Sequence, residues 1–146
     1  MSHPTNTQFA IGVHLLSLLA TDPGQLHSSD EMAVSVVSNP VHIRRVLGRL
    51  RAAGIVASRP GPHGGWGLLR DPVSVRLGEI WRAVEALDHV VGLHAPDPAC
   101  PIGCRVREAL VAVDRRAVDA FMAELDSTTV ADVLAAADGV RARAAS

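Results

Sequence analysis

The arginines in the first half of the chain form its most informative chemical pattern. Six of the 14 arginines fall between residues 32 and 70, and that stretch has no Asp or Glu, although the chain carries 15 acidic residues. Guanidinium groups donate paired hydrogen bonds to phosphate and to guanine. A chain with a formal net charge of −1 that sorts its charge in this way presents a basic surface to a polyanion such as DNA.

A predicted helix carries the central arginines of this stretch. Asn39 followed by Pro40 is a preferred helix start, and Gly54 follows the expected last residue, Ala53. Apolar residues recur at intervals of three and four and should face the core: Ile43, Val46, Leu47 and Leu50. We expect the side chains on the remaining faces to contact DNA: His42, Arg44, Arg45 and Arg49.

A glycine-rich loop follows, between two short apolar runs at residues 55–58 and 66–69. It lacks the Gly-Lys-Ser or Gly-Lys-Thr sequence of a nucleotide phosphate loop, and no helix follows it directly, so glycines here favour a tight hairpin. Hairpin glycines also let the backbone approach a ligand closely. We therefore expect the loop to contact DNA through Arg59, Gly61, His63, Gly64 and Gly65, and we expect Trp66 to pack on the sheet.

The surrounding elements would position these residues. An apolar helix is predicted over residues 9–20, and Ser28 with Glu31 has the capping-box spacing that starts a second helix at residues 29–36. Ser28 and Asn39 are also candidates for phosphate contacts. Apolar periodicity predicts a fourth helix from Leu77 to Leu87. Helix, turn, basic helix and two-stranded wing indicate a winged helix-turn-helix over residues 1–87.

The second half is predicted to join two subunits. Residues 88–104 form an irregular loop, and residues 105–146 contain a long helix to about Leu125 and a last helix capped by Thr129. Little of the chain remains for the long helix to pack upon, so its apolar stripe should pair with a second copy. That stripe is Val106, Leu110, Val113, Ala117 and Phe121.

Two cysteines, Cys100 and Cys104, leave three alternatives open. They are small buried residues, a redox switch in which Cys104 near a helix start is the reactive thiol, or part of a metal site. Their spacing is not a strong zinc pattern, and a cluster normally takes four protein ligands.

Composition and motifs also bear on which other classes of protein the chain could belong to. Two cysteines do not make a disulfide framework and point to the cytoplasm, while the longest apolar run, residues 9–20, is too short to span a bilayer. No basic residue precedes that run, so we expect no signal peptide and no membrane partner. No triad or cysteine–histidine motif indicates an enzyme.

Three segments carry a resemblance to a known family: residues 9–16, residues 39–47, and residues 53–56 followed by Gly61 and residues 64–68. Over about residues 8–126 the chain resembles the Rrf2 (Rrf-two) family of bacterial winged-helix transcription regulators. The resemblance implies a homodimer joined by a long helix, with each winged helix reading half of a palindromic operator. Members usually repress, and some sense iron–sulfur status, nitric oxide or cysteine supply.

The chain departs from the cluster-binding members, which carry three cysteines before the dimer helix. Its Cys-Pro-Ile-Gly segment at residues 100–103 is more similar to a branch with one cysteine there, so we expect no iron–sulfur cluster and no other cofactor. Pro60 stands where many relatives have arginine directly before the first loop glycine, and Arg59 precedes it.

The sequence therefore predicts a mainly α winged helix-turn-helix with a two-stranded β wing and a long C-terminal dimerisation helix. We expect a dimeric transcriptional repressor that binds double-stranded DNA. Whether it senses redox state or a small ligand is left open, and the effector is unknown. The alternative is a winged-helix protein-interaction module without an operator, whose basic face docks an acidic partner.

Overall fold

A computed structural model describes residues 7–145, so residues 1–6 and 146, at the ends of the predicted outer segments, lie outside it. The chain is mainly helical, with one short antiparallel hairpin. In order, its elements are α1 (Gln8–Thr21), α2 (Ser29–Val36), α3 (Pro40–Ala52), β1 (Val56–Arg59), β2 (Gly65–Leu68), a 3-10 turn (Pro72–Ser74), α4 (Leu77–Val84), α5 (Pro101–Ser127) and α6 (Val130–Ala144).

The hydrophobic core lies between α1, α3 and α4 and extends to the base of the hairpin. Leu15 and Leu16 of α1 meet the predicted inner face of α3, and Ile80 of α4 and Ile55 before β1 are also fully buried. Removing each large apolar side chain from water stabilises the fold by about 1.5–3 kcal/mol. This burial fixes which faces of α3 point outward.

The caps predicted for α2 and α3 are present. The Glu31 amide donates to Ser28 Oγ at 3.1 Å, and the Ser28 amide donates to the Glu31 carboxylate at 2.9 Å. Asn39 Oδ1 accepts from the Val41 amide at 2.7 Å. Between the two helices Val37 has φ 54°, in the left-handed region where glycine is usual, and its amide bonds to the last turn of α2.

The hairpin pairs Val56 with Leu68 and Arg59 with Gly65. A third backbone segment joins it, because His27 and Trp66 exchange hydrogen bonds of 3.0 and 2.8 Å in an isolated bridge. A Cβ on Gly65 (φ 145°) would lie 2.8 Å from the His27 carbonyl oxygen, so this close approach requires glycine. The wing is thereby fixed directly to the residue that precedes the Ser28 cap.

Two predicted helix bounds were wrong. The fourth helix ends at Val84 rather than Leu87, because Glu85 is extended and the Val84 carbonyl accepts instead from Arg49 at 2.9 Å. The long helix begins at Pro101, four residues before the predicted start at Arg105. Proline suits a first helical position, and Cys100 caps it through a 3.3 Å bond from the Gly103 amide to its Sγ.

The predicted boundary at residue 87 does not match the edge of the hydrophobic core. Val130 of α6 is buried in the same core as α1 and α4, and Leu125 and Leu134 pack against it. The Leu77 amide also donates to the Thr128 carbonyl at 2.9 Å. The end of α5 and the start of α6 therefore belong to the same packed unit as the helix-turn-helix, which corrects the expectation that the long helix has little of its own chain to pack upon.

Within the described residues, no helix is long and apolar enough to cross a membrane.

Candidate nucleic-acid interface

The outermost line of α3 contains Val41, Arg45 and Gly48, and it ends at Ala52, the last residue of the helix. At 100° per residue these residues point within about 30° of directly away from the mean direction of the buried side chains. We call Val41, Arg45 and Gly48 the outward ridge. Sequence reasoning singled out Arg45 there and missed the other two, because a valine and a glycine carry no charge. Projecting the sequence on a helical wheel would have found them.

Arg44 and Arg49 lie on opposite flanks of the outward ridge and are held by neighbouring elements. Arg44 Nη1 donates to Ser29 Oγ of α2 at 3.3 Å and stays exposed. Arg49 Nη1 donates to Gln8 Oε1 at 2.6 Å and to the Val84 carbonyl at 2.9 Å. Arg49 therefore ties α3 to α1 and α4, which corrects its placement beside Arg45 on a free face. His42, on the same flank as Arg49, is half-buried.

The wing adds exposed groups beside α3. Arg59, Gly61 and His63 are exposed, whereas Gly64 and Gly65 are half-buried and serve the hairpin itself. A Cβ on Gly64 would collide with the Arg59 carbonyl, so glycine allows the tight return of the chain. Of the predicted loop residues, the structure thus leaves side chains of Arg59 and His63 available for contact.

Two further arginines of the acid-free stretch bind other side chains of the same protein. The Arg51 guanidinium lies 5.6 Å from the centre of the Trp66 ring and donates to Ser58 at 2.9 Å. Trp66 itself is half-buried against the core, in agreement with its predicted packing role. Arg70 binds Glu79 at 2.7 Å, and this bond holds the pKa of the Glu79 carboxyl below its usual range. Of the six arginines in residues 32–70, Arg44, Arg45 and Arg59 therefore have the guanidinium groups that are most available to a ligand.

The two predicted phosphate ligands, Ser28 and Asn39, act as caps. Each uses a side-chain oxygen to accept an amide hydrogen bond at a helix start. The Ser28 hydroxyl hydrogen and the Asn39 side-chain amide hydrogens take no part in the caps. Both residues can therefore still donate a hydrogen bond to a phosphate oxygen.

The predicted stripe on α5 is divided between two environments. Val106, Leu110 and Val113 are exposed, at 48%, 37% and 44% of their surfaces. Phe121 instead packs on Trp81 of the same chain, with ring centres 4.8 Å apart, and Ala117 is half-buried. The expectation that Phe121 faces a second subunit is corrected here, because α4 supplies its partner.

The loop before α5 is bound to the helix by a buried carboxylate. Asp114 accepts from the Val90 and Val91 amides at 2.7 and 2.8 Å, and its Oδ2 lies 2.7 Å from His89 Nδ1. The amide bonds, the one from Val91 foremost, and the His89 contact lower the pKa of this carboxyl. The clamp fixes the start of the loop that leads to Cys100 and α5.

The two thiols are free and lie at the loop–helix junction. Cys100 is exposed as the cap of α5, and Cys104 is half-buried with its Sγ 3.9 Å from the Asp97 and Pro98 carbonyl oxygens. The cap position of α5 belongs to Cys100, and Cys104 lies near the start of the helix, so the reactivity expected of Cys104 stays a prediction. Over residues 7–145, no group of three or more His, Cys, Asp or Glu side chains is placed to hold a metal ion, which does not fit the four-ligand need of an iron–sulfur cluster.

A half-exposed basic helix after a capped turn, flanked by a wing with free cationic groups, defines a winged helix-turn-helix DNA-binding regulator. Comparison with known proteins then gives the family. The model of the Rrf2 family, described as an iron-dependent transcriptional regulator, matches residues 5–136. The chain belongs to the Rrf2 family, and it is a transcriptional regulator rather than an enzyme.

Individual relatives agree. The chain is 35% identical over 130 residues to YwnA of Bacillus subtilis (strain 168), named as an HTH-type transcriptional regulator, covering 88% of this chain and 96% of YwnA. Among solved structures it is similar to IscR of T. potens, with a TM-score of 0.69 and 25% identity over 94% of this chain and 90% of that one. It is also similar to CymR, the global cysteine regulator of B. subtilis, with a TM-score of 0.63 and 26% identity over 92% and 98% of the two chains.

Proposed function

We propose that this regulator represses transcription as a homodimer on a palindromic operator. Each subunit inserts α3 into the major groove and lays its wing over the adjacent minor groove. The observation that carries the proposal is the exposed ridge with Arg45, beside Arg59 of the wing, in a stretch without acidic residues. Arg44, Ser28 and Asn39 contact phosphates at the edge of this surface.

The dimer part of the proposal rests on α5. This helix has 27 residues and is therefore about 40 Å long. Its first half leaves Val106, Leu110 and Val113 on the surface without a covering element from residues 7–145. A second copy of the same helix covers such a stripe symmetrically, and a two-fold axis matches a palindrome whose half-sites lie about 34 Å apart.

The experiment combines sequence selection with a mass measurement. Duplexes selected by the protein from a random pool should contain an inverted repeat, and light scattering should give the mass of two chains. Affinity should fall steeply with salt, because arginines release counterions from the phosphates. A monomer in solution and on DNA, or a selected site without an inverted repeat, would overturn the dimer. Binding without any sequence preference would favour the protein-interaction alternative.

Repression is the usual role of members of the Rrf2 family. In vitro transcription from a promoter that overlaps the selected site tests it directly. Added protein should lower the transcript in proportion to operator occupancy. An increase in transcript would show an activator instead.

The proposal includes no metal centre and places the regulatory chemistry at Cys100 and Cys104. Two thiols can lose two protons and two electrons to diamide and form a disulfide, which would distort the first turn of α5. Protein purified without oxygen should then show no visible absorption, and diamide should weaken operator binding in the wild type but not in Cys100→Ser or Cys104→Ser. Equal operator affinity before and after diamide would leave both thiols without a regulatory role.

A further inference from the structure

The apolar member of the outward ridge is Val41, in the first turn of α3. Its side chain is 56% exposed, although the Asn39 cap holds its backbone in place. Val34 and Val37, on the preceding helix and turn, are 80% and 91% exposed. Isolated exposed valines are common, but here three exposed valines fall within eight residues of sequence, and one of them lies on the basic ridge itself.

Gly48 lies on the same ridge, seven residues and about two turns after Val41. Glycine inside a helix is unfavourable relative to alanine. The packing of the chain does not explain it, because a Cβ at this position would meet no atom within 4 Å among the described residues. The space that a missing side chain leaves is therefore outside the molecule, where a bound partner would use it.

We propose that Val41 reads the 5-methyl group of a thymine in the major groove, and that Gly48 lets α3 lie close enough to the base edges for this contact. The inference rests on the proposed function, since it requires α3 in the major groove. Thymine is the base that presents a methyl group there, and apolar side chains recognise it by contact. Valine has no hydrogen-bonding group, and its branched Cβ gives it a fixed shape.

The charge around Val41 favours DNA over a protein partner. Arg45 lies one turn along the same ridge and Arg44 beside it, and residues 32–70 contain no carboxylate to pair with the basic groups of a mixed-charge protein surface. The same arginines suit the phosphates and the guanine edges that surround a thymine in duplex DNA. An A·T pair opposite Val41 and a G·C pair or phosphate opposite Arg45 is the arrangement that this ridge would select.

The experiment replaces thymine by deoxyuridine, which removes the methyl group and leaves the base pairing unchanged. Operator duplexes from the random-pool selection are synthesised with deoxyuridine at one thymine per half-site at a time, and Kd is measured by fluorescence anisotropy. Wild-type affinity should fall by about threefold to tenfold at one position, the effect of losing one or two buried methyl contacts. Val41→Ala should bind the thymine operator more weakly by a similar factor and should lose less affinity with deoxyuridine than the wild type does, because the shorter side chain reaches less of the methyl group.

Two variants accompany this test. Val140→Ala makes the same change at an exposed position of α6 and should keep the full deoxyuridine effect. Gly48→Ala should weaken binding to both duplexes, because its methyl group holds α3 away from the base edges. Circular dichroism and thermal melting verify that each variant is folded.

The outcomes separate the inference from the proposed function. A selected operator on which no deoxyuridine substitution changes the wild-type Kd would overturn the thymine contact alone. A Val41→Ala variant that loses as much affinity with deoxyuridine as the wild type does would show that another residue touches the methyl group. Failure to select any operator would overturn both. An unchanged Kd in Val41→Ala together with loss of a protein partner would make the valines a protein-docking surface.

Discussion

The helix-turn-helix and α5 differ in how completely each buries its own apolar face. In α3 four residues are fully buried, and each has 0% exposure: Ile43, Val46, Leu47 and Leu50. In α5, all of which the structure describes, Asp114, at 3% exposure, is the one buried residue of 27. Under the proposed function, the side chains that α3 exposes contact DNA, whereas those that the first half of α5 exposes contact a second subunit.

Polar contacts repeat the contrast. Around α3, arginines bind neighbouring elements of the packed unit, as Arg49 does with Val84. At α5 the carboxylate of Asp114 binds a loop without regular structure. The first arrangement stabilises the core, and the second positions a segment at the edge of the fold. Variants can test each side of this comparison.

The largest effect is expected from Leu110→Glu in the α5 stripe. Burying an unpaired carboxylate in the proposed two-fold interface would cost on the order of 3–5 kcal/mol per subunit. Light scattering should report a monomer or an aggregate. Ala112→Glu places the same charge at an exposed position on another face of α5 and should remain dimeric. A soluble Leu110→Glu dimer would place the interface elsewhere.

Replacing arginines on two faces of α3 should separate effects on operator affinity from effects on the stability of the fold. Arg45→Ala should weaken operator binding by about 1–3 kcal/mol with little change in melting temperature. Arg49→Ala should instead lower the free energy of unfolding by roughly 1–3 kcal/mol, because its bonds to Gln8 and Val84 are lost. Arg116→Ala, an exposed change on α5, serves as the control for both measurements. The reverse pattern, with Arg49→Ala deficient only in binding, would contradict the structural role of Arg49.

Gly48→Ala should change stability and binding in opposite directions. Alanine is favoured over glycine in a helix interior by about 1 kcal/mol, and the site has room for its methyl group. The free energy of unfolding should therefore rise by up to about that amount while operator affinity falls. Urea denaturation and anisotropy measure the two quantities on one preparation. Equal or higher operator affinity would show that Gly48 does not face the DNA.

The smallest effect is expected from Asp114→Asn, through pH. The pKa of Asp114 is lowered in the folded chain, so its bonds stabilise the fold above the ordinary aspartate pKa of about 3.9 and are lost as the pH falls through the lower folded value. The variant should melt at a lower temperature than the wild type at pH 7, and the difference should shrink towards pH 3. Asp119→Asn, at an exposed site five residues along α5, should show no such pattern. A difference that persists unchanged at low pH would assign the effect to packing.

The sequence by itself determined the helix starts and the class of fold. Ser28 with Glu31 and Asn39 with Pro40 mark α2 and α3 correctly because capping depends on residues three or fewer positions apart. The buried face of α3 follows in the same way from the 3.6-residue period. Local chemistry of this kind is readable without any knowledge of the fold.

Only the tertiary structure decided which arginines are free and where the packed unit ends. Arg49 and Arg51 have the same side chain as Arg45, yet their partners, Val84 and Trp66, are distant in sequence or lie on another element. Val130 enters the core through contacts with residues more than 50 positions earlier, so no local pattern could place the boundary. Side-chain partners and long-range packing depend on how elements meet in space, and that information is distributed over the whole chain.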